Sequence, residues 1–167
     1  MNKQKSVMVA VVVVLLVVGA STVAAVTVES DLGKLRAATA RFHRPEVAVA
    51  QGWDLVPGLD HCFENPGVGA MGYHYINVDK LDTTVEMLEP EAMVYPPGPN
   101  GKLQLGAVEY VVPAAAWDAE GHDELPSLFG QHFHLNEPLG VYVLHVWIWK
   151  HNEAGIFEDW NPDVICP

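Results

Sequence analysis

Basic residues are scarce in this chain of 167 residues. It has 9 lysines and arginines but 21 aspartates and glutamates, which gives a net charge of -12 at pH 7. Nucleic acids and anionic lipid surfaces are bound through basic faces that displace counterions. The composition therefore predicts no nucleic-acid partner, and the acidic surface favours solubility.

Several catalytic motifs are also absent from the sequence. There is no Gly-x-Ser-x-Gly nucleophile elbow, no phosphate-binding loop, no dinucleotide fingerprint and no His-Glu-x-x-His zinc motif. Ser127 follows a proline, where we expect a turn residue and not a nucleophile. These absences leave open whether the protein is an enzyme.

Cysteine is limited to Cys62 and Cys166. Two thiols so far apart in sequence lack the Cys-x-x-Cys spacing of structural zinc sites, so a cysteine-based metal site is not expected. In an oxidising compartment two such thiols form a disulfide. We therefore expect a Cys62–Cys166 bridge that ties the chain end to the segment after the N-terminal helices.

Export is predicted by the first segment of the chain. Lys3 and Lys5 form a basic start, residues 7–18 are continuously apolar, and residues 23–25 are small, as signal peptidase requires. The predicted organisation is a signal peptide over residues 1–25 and a single domain over residues 26–167. The domain should be secreted or extracytoplasmic, without membrane contact after cleavage. An uncleaved anchor is the alternative, since the apolar run is long enough to span a bilayer.

The start of the predicted domain has helical periodicity. Ser30 or Asp31 can cap a first helix. Apolar residues then recur at steps of three and four, at Leu32, Leu35, Ala38 and Phe42. Pro45 suits the first turn of a second short helix through about Gln51. The apolar stripe is narrow, so we expect these helices to pack as a lid on another layer.

Beyond residue 70 the pattern favours strands and turns. Short strands are predicted over residues 71–76, 93–95, 103–112, 129–135 and 140–149. The turn-forming residues 96–101 should join the second and third of these in a hairpin. Together the elements predict an α+β fold: an antiparallel β-sheet or small barrel with the N-terminal helices packed at one end.

Histidines on these strands are the main candidates for chemistry. On a strand over residues 129–135, His132 and His134 share one face because neighbouring side chains alternate. Cupin-like barrels hold metals with this His-x-His spacing, although Glu137 follows too closely to complete the cupin motif. Imidazole is a ligand for zinc, copper, iron and nickel. The alternative is a pair of solvated surface histidines.

Three further residues extend the candidate set. His145 lies in a strand that is apolar on both faces, so its ring needs either a hydrogen bond or a metal. Glu109 alternates with apolar residues on a core-facing side, and His74 lies among aromatic residues. We predict that His132, His134, His145 and Glu109 converge between the sheet and its helical cap, with His74 as an addition. No role is predicted for His43, His61, His122 and His151.

Five stretches of the chain are similar to a family of small secreted bacterial proteins. These stretches are residues 35–43, 71–77, 107–113, 126–134 and 144–149. The similarity extends over nearly all of the predicted domain. It implies export and a single domain, and it carries over no catalytic residue.

Three classes of function are consistent with these features. The first is an extracytoplasmic protein that binds a divalent transition metal, Zn, Cu, Fe or Ni, in a histidine-lined pocket. The second is a small-molecule binding module with an aromatic pocket and no metal. The third is a non-catalytic envelope or interaction protein whose aromatic residues form its core. The sequence defines neither the ligand nor the oligomeric state.

Overall fold

The computed structural model describes residue 25 and residues 27–167. The predicted signal peptide therefore lies outside the described residues, apart from Ala25. Within the described part of the chain, no helix combines the length and the apolarity that a membrane crossing needs.

Helices begin the described chain, as the periodicity predicts. Helix α1 covers residues 27–39 and continues as a 3-10 turn over Ala40–Phe42. Helix α2 covers Pro45–Val49, slightly shorter than predicted, with the proline in its first turn. Pro45 fits there because the backbone N–H that it lacks would have no helical partner.

Strands and turns make up most of the remaining chain. In order they are β1 Asp54–Leu55, β2 Phe63–Asn65, β3 Gly69–Ile76, β4 Ala92–Tyr95, β5 Ala107–Pro113, β6 Ser127–Leu128, β7 Gln131–His132, β8 His134–Asn136 and β9 Val141–Val146. Helix α3, Ala114–Ala119, follows β5, and a 3-10 turn over Val78–Lys80 follows β3.

One antiparallel sheet of 7 strands dominates the fold. Its strand order is β1-β3-β4-β5-β9-β8, and β2 pairs with β3 off this path. The predicted α+β class is thus confirmed, with a sheet as its β component. Strands β4 and β5 pair as predicted, although β5 begins at Ala107, because the chain before it makes only an isolated bridge between Pro97 and Leu103.

The predicted continuous strand over residues 129–135 is wrong. Phe129 has a φ of 54° and Gly130 one of 73°, and this pair forms a tight turn between β6 and β7. The Phe133 amide then donates to the Pro126 carbonyl oxygen at 2.8 Å, and its ring is buried. The chain enters the main sheet only at β8, which pairs with β9.

One face of the sheet, termed here the helical face, packs against the N-terminal helices. The sheet contributes Tyr75, Met93, Tyr95, Val108, Tyr110 and Leu144, and the helices contribute Leu32, Leu35, Phe42 and Ala48. The hydroxyl of Tyr95 donates to the Phe42 carbonyl oxygen at 2.7 Å. The Arg36 guanidinium donates to the Ile148 carbonyl oxygen at 2.7 and 3.0 Å, which fastens α1 to the end of β9.

The opposite face of the sheet, termed here the C-terminal face, is covered by the last part of the chain. Its apolar cluster consists of Ala70, Val94, Ala107, Trp147 and Val164. Asn161 and Ala70 exchange two backbone hydrogen bonds of 3.1 Å, which attach the chain end to β3. Gly69 permits this approach, since a Cβ there would lie 2.4 Å from the Asn161 carbonyl oxygen.

A disulfide joins Cys62 to Cys166, with the two Cα atoms 5.7 Å apart. The predicted pairing is confirmed. Cys62 immediately precedes β2, which pairs with β3. The covering segment is therefore held over the C-terminal face by a covalent link in addition to its hydrogen bonds.

Candidate metal centre

The register of two central strands brings Glu109 and His145 together. Strands β5 and β9 pair antiparallel with Glu109 directly opposite His145. Side chains at directly opposite positions have Cβ atoms only about 5 Å apart. The two predicted residues are therefore cross-strand neighbours on the C-terminal face.

His74 reaches the same place from β3, across the intervening strand β4. It pairs with Val94, which in turn pairs with Ala107, so all three point to the same face of the sheet. Ala92, opposite Glu109, and Ala107 are small, and they leave room for longer side chains to meet above them. The His74 Nε2 and Glu109 Oε2 atoms lie 3.6 Å apart.

The three side chains form one buried group. One ligand atom from each of His74, Glu109 and His145 lies within 4.8 Å of the other two. His145 is completely buried, and His74 is 5% exposed. Of the five predicted site residues, these three are the ones that the structure brings together.

Hydrogen bonds do not account for the burial of these rings. Neither ring nitrogen of His145 has a hydrogen-bond partner among the described residues, and His74 Nδ1 lacks one of normal geometry. The 3.6 Å separation of His74 and Glu109 is too long for a hydrogen bond. A buried polar group without a partner costs about 1 to 3 kcal/mol of stability. The hydrogen bond that sequence analysis offered as the alternative for His145 is not found.

Burial keeps all three groups in their uncharged forms. Desolvation lowers the pKa of His74 to about 4, an effect that the Gly72 backbone partly offsets. It also lowers the pKa of His145 well below its usual range, and nearby His74 adds to this. Desolvation and the charge of Asp159 raise the pKa of Glu109 to about 8. At neutral pH both imidazoles are therefore free to act as ligands through a lone pair.

Aromatic rings fix the orientation of the two imidazoles. The indole of Trp147 stacks on His145 with ring centroids 5.0 Å apart. The ring of Phe63 meets His74 edge-on, also at 5.0 Å. Because Phe63 follows Cys62, the disulfide helps to hold this contact in place.

His132 and His134 lie elsewhere, because the predicted strand is broken between them. His132 is exposed in β7, where it pairs with Ser127 and not with the main sheet. His134 begins β8, at the rim of the buried group, and its half-exposed ring makes an ion pair of 3.0 Å with Asp159. Neither belongs to the three-residue group, so the predicted His-x-His pair does not contribute to it.

The predicted location between the sheet and its helical cap is also wrong. Tyr75, Val108 and Leu144, the sequence neighbours of the three residues, pack against the N-terminal helices. Because strand neighbours point to opposite faces, His74, Glu109 and His145 lie on the C-terminal face.

The four histidines without a predicted role lie outside the group. His61 packs on Phe63, with ring centroids 4.3 Å apart. His43 meets Trp149 edge-on, and His122 stacks on Trp117.

A cavity of about 140 Å³ adjoins the group. Its polar lining is provided by His74, Glu109, Asn136 and Asp159. Asp159 is not among the site residues predicted from the sequence. One of its oxygens accepts from His134, and the other, Oδ1, is buried without a hydrogen-bond partner among the described residues.

Comparisons of this chain with protein-family models, with curated proteins and with solved structures find no match. The similarity to secreted bacterial proteins therefore stays a prediction. Function has to be argued from the geometry and the chemistry of the site.

Proposed function

We propose that this chain is an exported protein that binds a divalent transition metal through His74, Glu109 and His145. The observation that carries the proposal is the convergence of three potential ligand atoms within 4.8 Å in a buried site. The unpartnered ring nitrogens of His145 support it, because a metal would use a lone pair that no donor now engages.

The spacing of the three ligand atoms is close to what a metal requires. Ligands about 2.1 Å from a tetrahedral zinc ion are about 3.4 Å from one another. His74 and Glu109 are already 3.6 Å apart, and the group as a whole lies within 4.8 Å. Small side-chain rotations would bring all three atoms into coordination without any change of strand register.

The donor set limits the choice of metal. Two neutral imidazoles and a carboxylate are suited to Zn, Fe, Cu or Ni, and hard cations such as Ca²⁺ prefer sites built entirely from oxygen. A bound cation would also stabilise the carboxylate form of Glu109 and so offset the desolvation that raises its pKa. Zinc is the first metal to test, because it is bound by two histidines and a glutamate in known catalytic sites.

A binding module without metal is the second candidate, and the adjoining cavity favours it. Such a ligand would contact His74 and Glu109, which line the cavity. It would leave His145 without a partner, since this residue is completely buried and does not line the cavity. Metal binding accounts for the convergence of the three side chains and also for the burial of His145.

Export is supported by the disulfide together with the predicted signal peptide. Disulfides persist in oxidising compartments and are rare in the cytosol. The Cys62–Cys166 bridge involves the two cysteines of the chain. An N-terminal peptide beginning near Val26 in the secreted protein is the result expected from mass spectrometry.

Metal content is the direct test of the proposal. The full chain should be exported, purified without an affinity tag, and analysed for bound elements and for zinc affinity by calorimetry. We expect about one metal ion per chain. Glu109→Gln and His74→Ala should each weaken zinc binding more than about 100-fold, since even outer-shell partners of metal ligands contribute about 10- to 100-fold.

The matched control is the double variant His132→Ala/His134→Ala. It removes two imidazoles of the same chemistry from outside the group, so its zinc affinity should equal that of the parent protein. Loss of zinc in this control with retention in His74→Ala would contradict the proposal. Far-UV circular dichroism of every variant separates loss of a ligand from loss of the fold.

A further inference from the structure

The proposed centre provides three protein ligands, and a cavity adjoins two of them, His74 and Glu109. No other histidine, cysteine or carboxylate among the described residues joins the group. His74 and Glu109 line the cavity, whereas His145 is completely buried and does not line it. Zinc sites with three protein ligands keep the fourth position for water or for an exogenous ligand.

The walls of the cavity are mostly apolar. They include Leu59, Phe63, Met71, Ile76, Leu139 and Trp160. Its volume of about 140 Å³ is close to that of apolar cavities that accommodate a benzene-sized ligand. It is well below the pockets of about 300 Å³ or more that bind drug-sized molecules.

The charges around the cavity favour an anion at the open position. His134 and Asp159 lie 3.0 Å apart, and this contact raises the pKa of His134, so the protonated imidazole offsets the charge of Asp159. With Glu109 as its one anionic ligand, a divalent metal would leave one net positive charge beside a mostly apolar cavity. Burial of an uncompensated charge is unfavourable, so a ligand with one negative donor group is preferred there.

We propose that the metal centre takes a small organic monoanion, a short-chain carboxylate, with its carboxylate on the metal and its apolar tail in the cavity. This inference rests on the proposed metal site. The volume of the cavity limits the buried hydrocarbon part of the ligand to about the size of a benzene ring.

Cobalt provides a probe that reports on the open position. The full chain should be loaded with Co²⁺ at pH 7, and its visible absorption recorded during titration with butyrate, acetate and butylammonium. Butyrate should change the spectrum saturably and bind about tenfold more tightly than acetate, because the two additional methylenes are removed from water. Butylammonium has a similar shape with the opposite charge and should have no effect.

Substitution of Val143, which lines the cavity from β9, tests the position of the tail. Val143→Phe should reduce butyrate affinity more than about tenfold and leave Co²⁺ binding intact, because the ring would occupy the cavity. If this variant does not fold, Val143→Ala serves instead. The larger cavity should then improve hexanoate binding relative to butyrate.

The outcomes separate the two proposals. A cobalt-loaded protein whose spectrum no carboxylate alters would overturn this inference and leave the metal site standing. Equal affinities for acetate and butyrate would also overturn it, because the cavity would then contribute nothing. A chain that binds no cobalt or zinc would contradict the metal site and this inference together.

Discussion

The two faces of the sheet differ in how their buried polar groups are satisfied. On the helical face, the hydroxyl of Tyr95 donates to a backbone carbonyl oxygen at 2.7 Å, and the Trp53 indole donates to another at 3.1 Å. On the C-terminal face, both ring nitrogens of His145 and one oxygen of Asp159 lack partners among the described residues. Sites that break the usual rules of stability are frequently functional. The contrast supports the proposed metal site on the C-terminal face.

The two faces also differ in what covers them. The helical face is covered by α1 and α2, which bury Leu35 and Phe42 in the larger apolar cluster. The C-terminal face is covered by a segment with little regular secondary structure, and that segment is anchored by the Cys62–Cys166 disulfide. Substitutions at the disulfide, Leu35, Glu91 and His145 test this difference between the two faces.

Removal of the disulfide should have the largest effect. The double variant Cys62→Ser/Cys166→Ser opens a loop between residues separated by 104 positions. The chain-entropy model assigns a loss of about 4 to 5 kcal/mol in the free energy of unfolding to a loop of this length. Urea denaturation followed by circular dichroism measures that loss.

Hydrogen exchange of the same double variant tests which part of the fold loses stability. Amides near the Asn161–Ala70 β-bridge should lose protection before those of β5 and β9, because the disulfide anchors the segment that covers the C-terminal face. An equal loss of protection on both faces would contradict the inference that the disulfide stabilises mainly the C-terminal face.

Truncation of the helical-face core should be the next largest change. Leu35 is completely buried among the residues of that cluster, so Leu35→Ala should lower the free energy of unfolding by about 2 to 5 kcal/mol. The decrease should be the same with and without added zinc, since the helical face does not contact the proposed site. A zinc-dependent effect of Leu35→Ala, measured by thermal denaturation, would show that the two faces are coupled.

Glu91 is a buried carboxylate that does accept a hydrogen bond, so its replacement provides a comparison with the unpartnered groups. Its Oε2 accepts from the Val111 amide at 3.0 Å, yet burial raises its pKa to about 7. The pKa of Glu91 is higher in the folded chain than in the unfolded chain, so ionisation of the buried carboxyl destabilises the fold. This destabilisation is absent below about pH 4.5 and complete above about pH 7. Glu91→Gln should therefore gain stability relative to the parent as pH rises, by up to about 3 kcal/mol.

Urea denaturation of the parent and of Glu91→Gln at pH 4, 6 and 8 measures this trend. Exposed Glu64, for which Glu64→Gln is a matched substitution, provides the control and should show no such trend. A constant difference between the parent and Glu91→Gln across the three pH values would show that Glu91 does not titrate in this range.

Replacement of His145 should have the smallest effect, and it should stabilise the metal-free protein. In metal-free protein, His145→Leu removes two unpartnered buried nitrogens and should raise the free energy of unfolding by about 1 to 3 kcal/mol. The same variant should lose the zinc-dependent rise in melting temperature that linkage predicts for the parent. A decrease comparable to that of Leu35→Ala would mean that the ring of His145 is fully satisfied without a metal.

Local patterns were sufficient for the sheet and for the core of the candidate site. A strand apolar on both faces indicated a buried His145, and alternation indicated a core-facing Glu109. The structure pairs the two directly. The disulfide followed from the cysteine count together with the predicted export. The strand patterns depend on residues close in sequence, and two cysteines allow only one pairing.

The errors arose where distant contacts override a local pattern. The run from Phe129 to Leu135 alternates like a strand, but Phe133 is buried in the helical-face cluster and Phe129 adopts a positive φ. Asp159 carries no local indication of a site, because its position depends on the disulfide and on the bridge between Asn161 and Ala70. Which face of the sheet the helices cover was also beyond a single sequence.

The three candidate ligands lie on β3, β5 and β9, so they emerge from the ribosome at widely separated times. On the proposed export route, the unfolded chain crosses the membrane before this site exists. A metal that requires this geometry can therefore bind only after the sheet has assembled, in the compartment where the disulfide forms. The metal supply at the destination, and not that of the compartment of synthesis, would then decide which ion the protein carries.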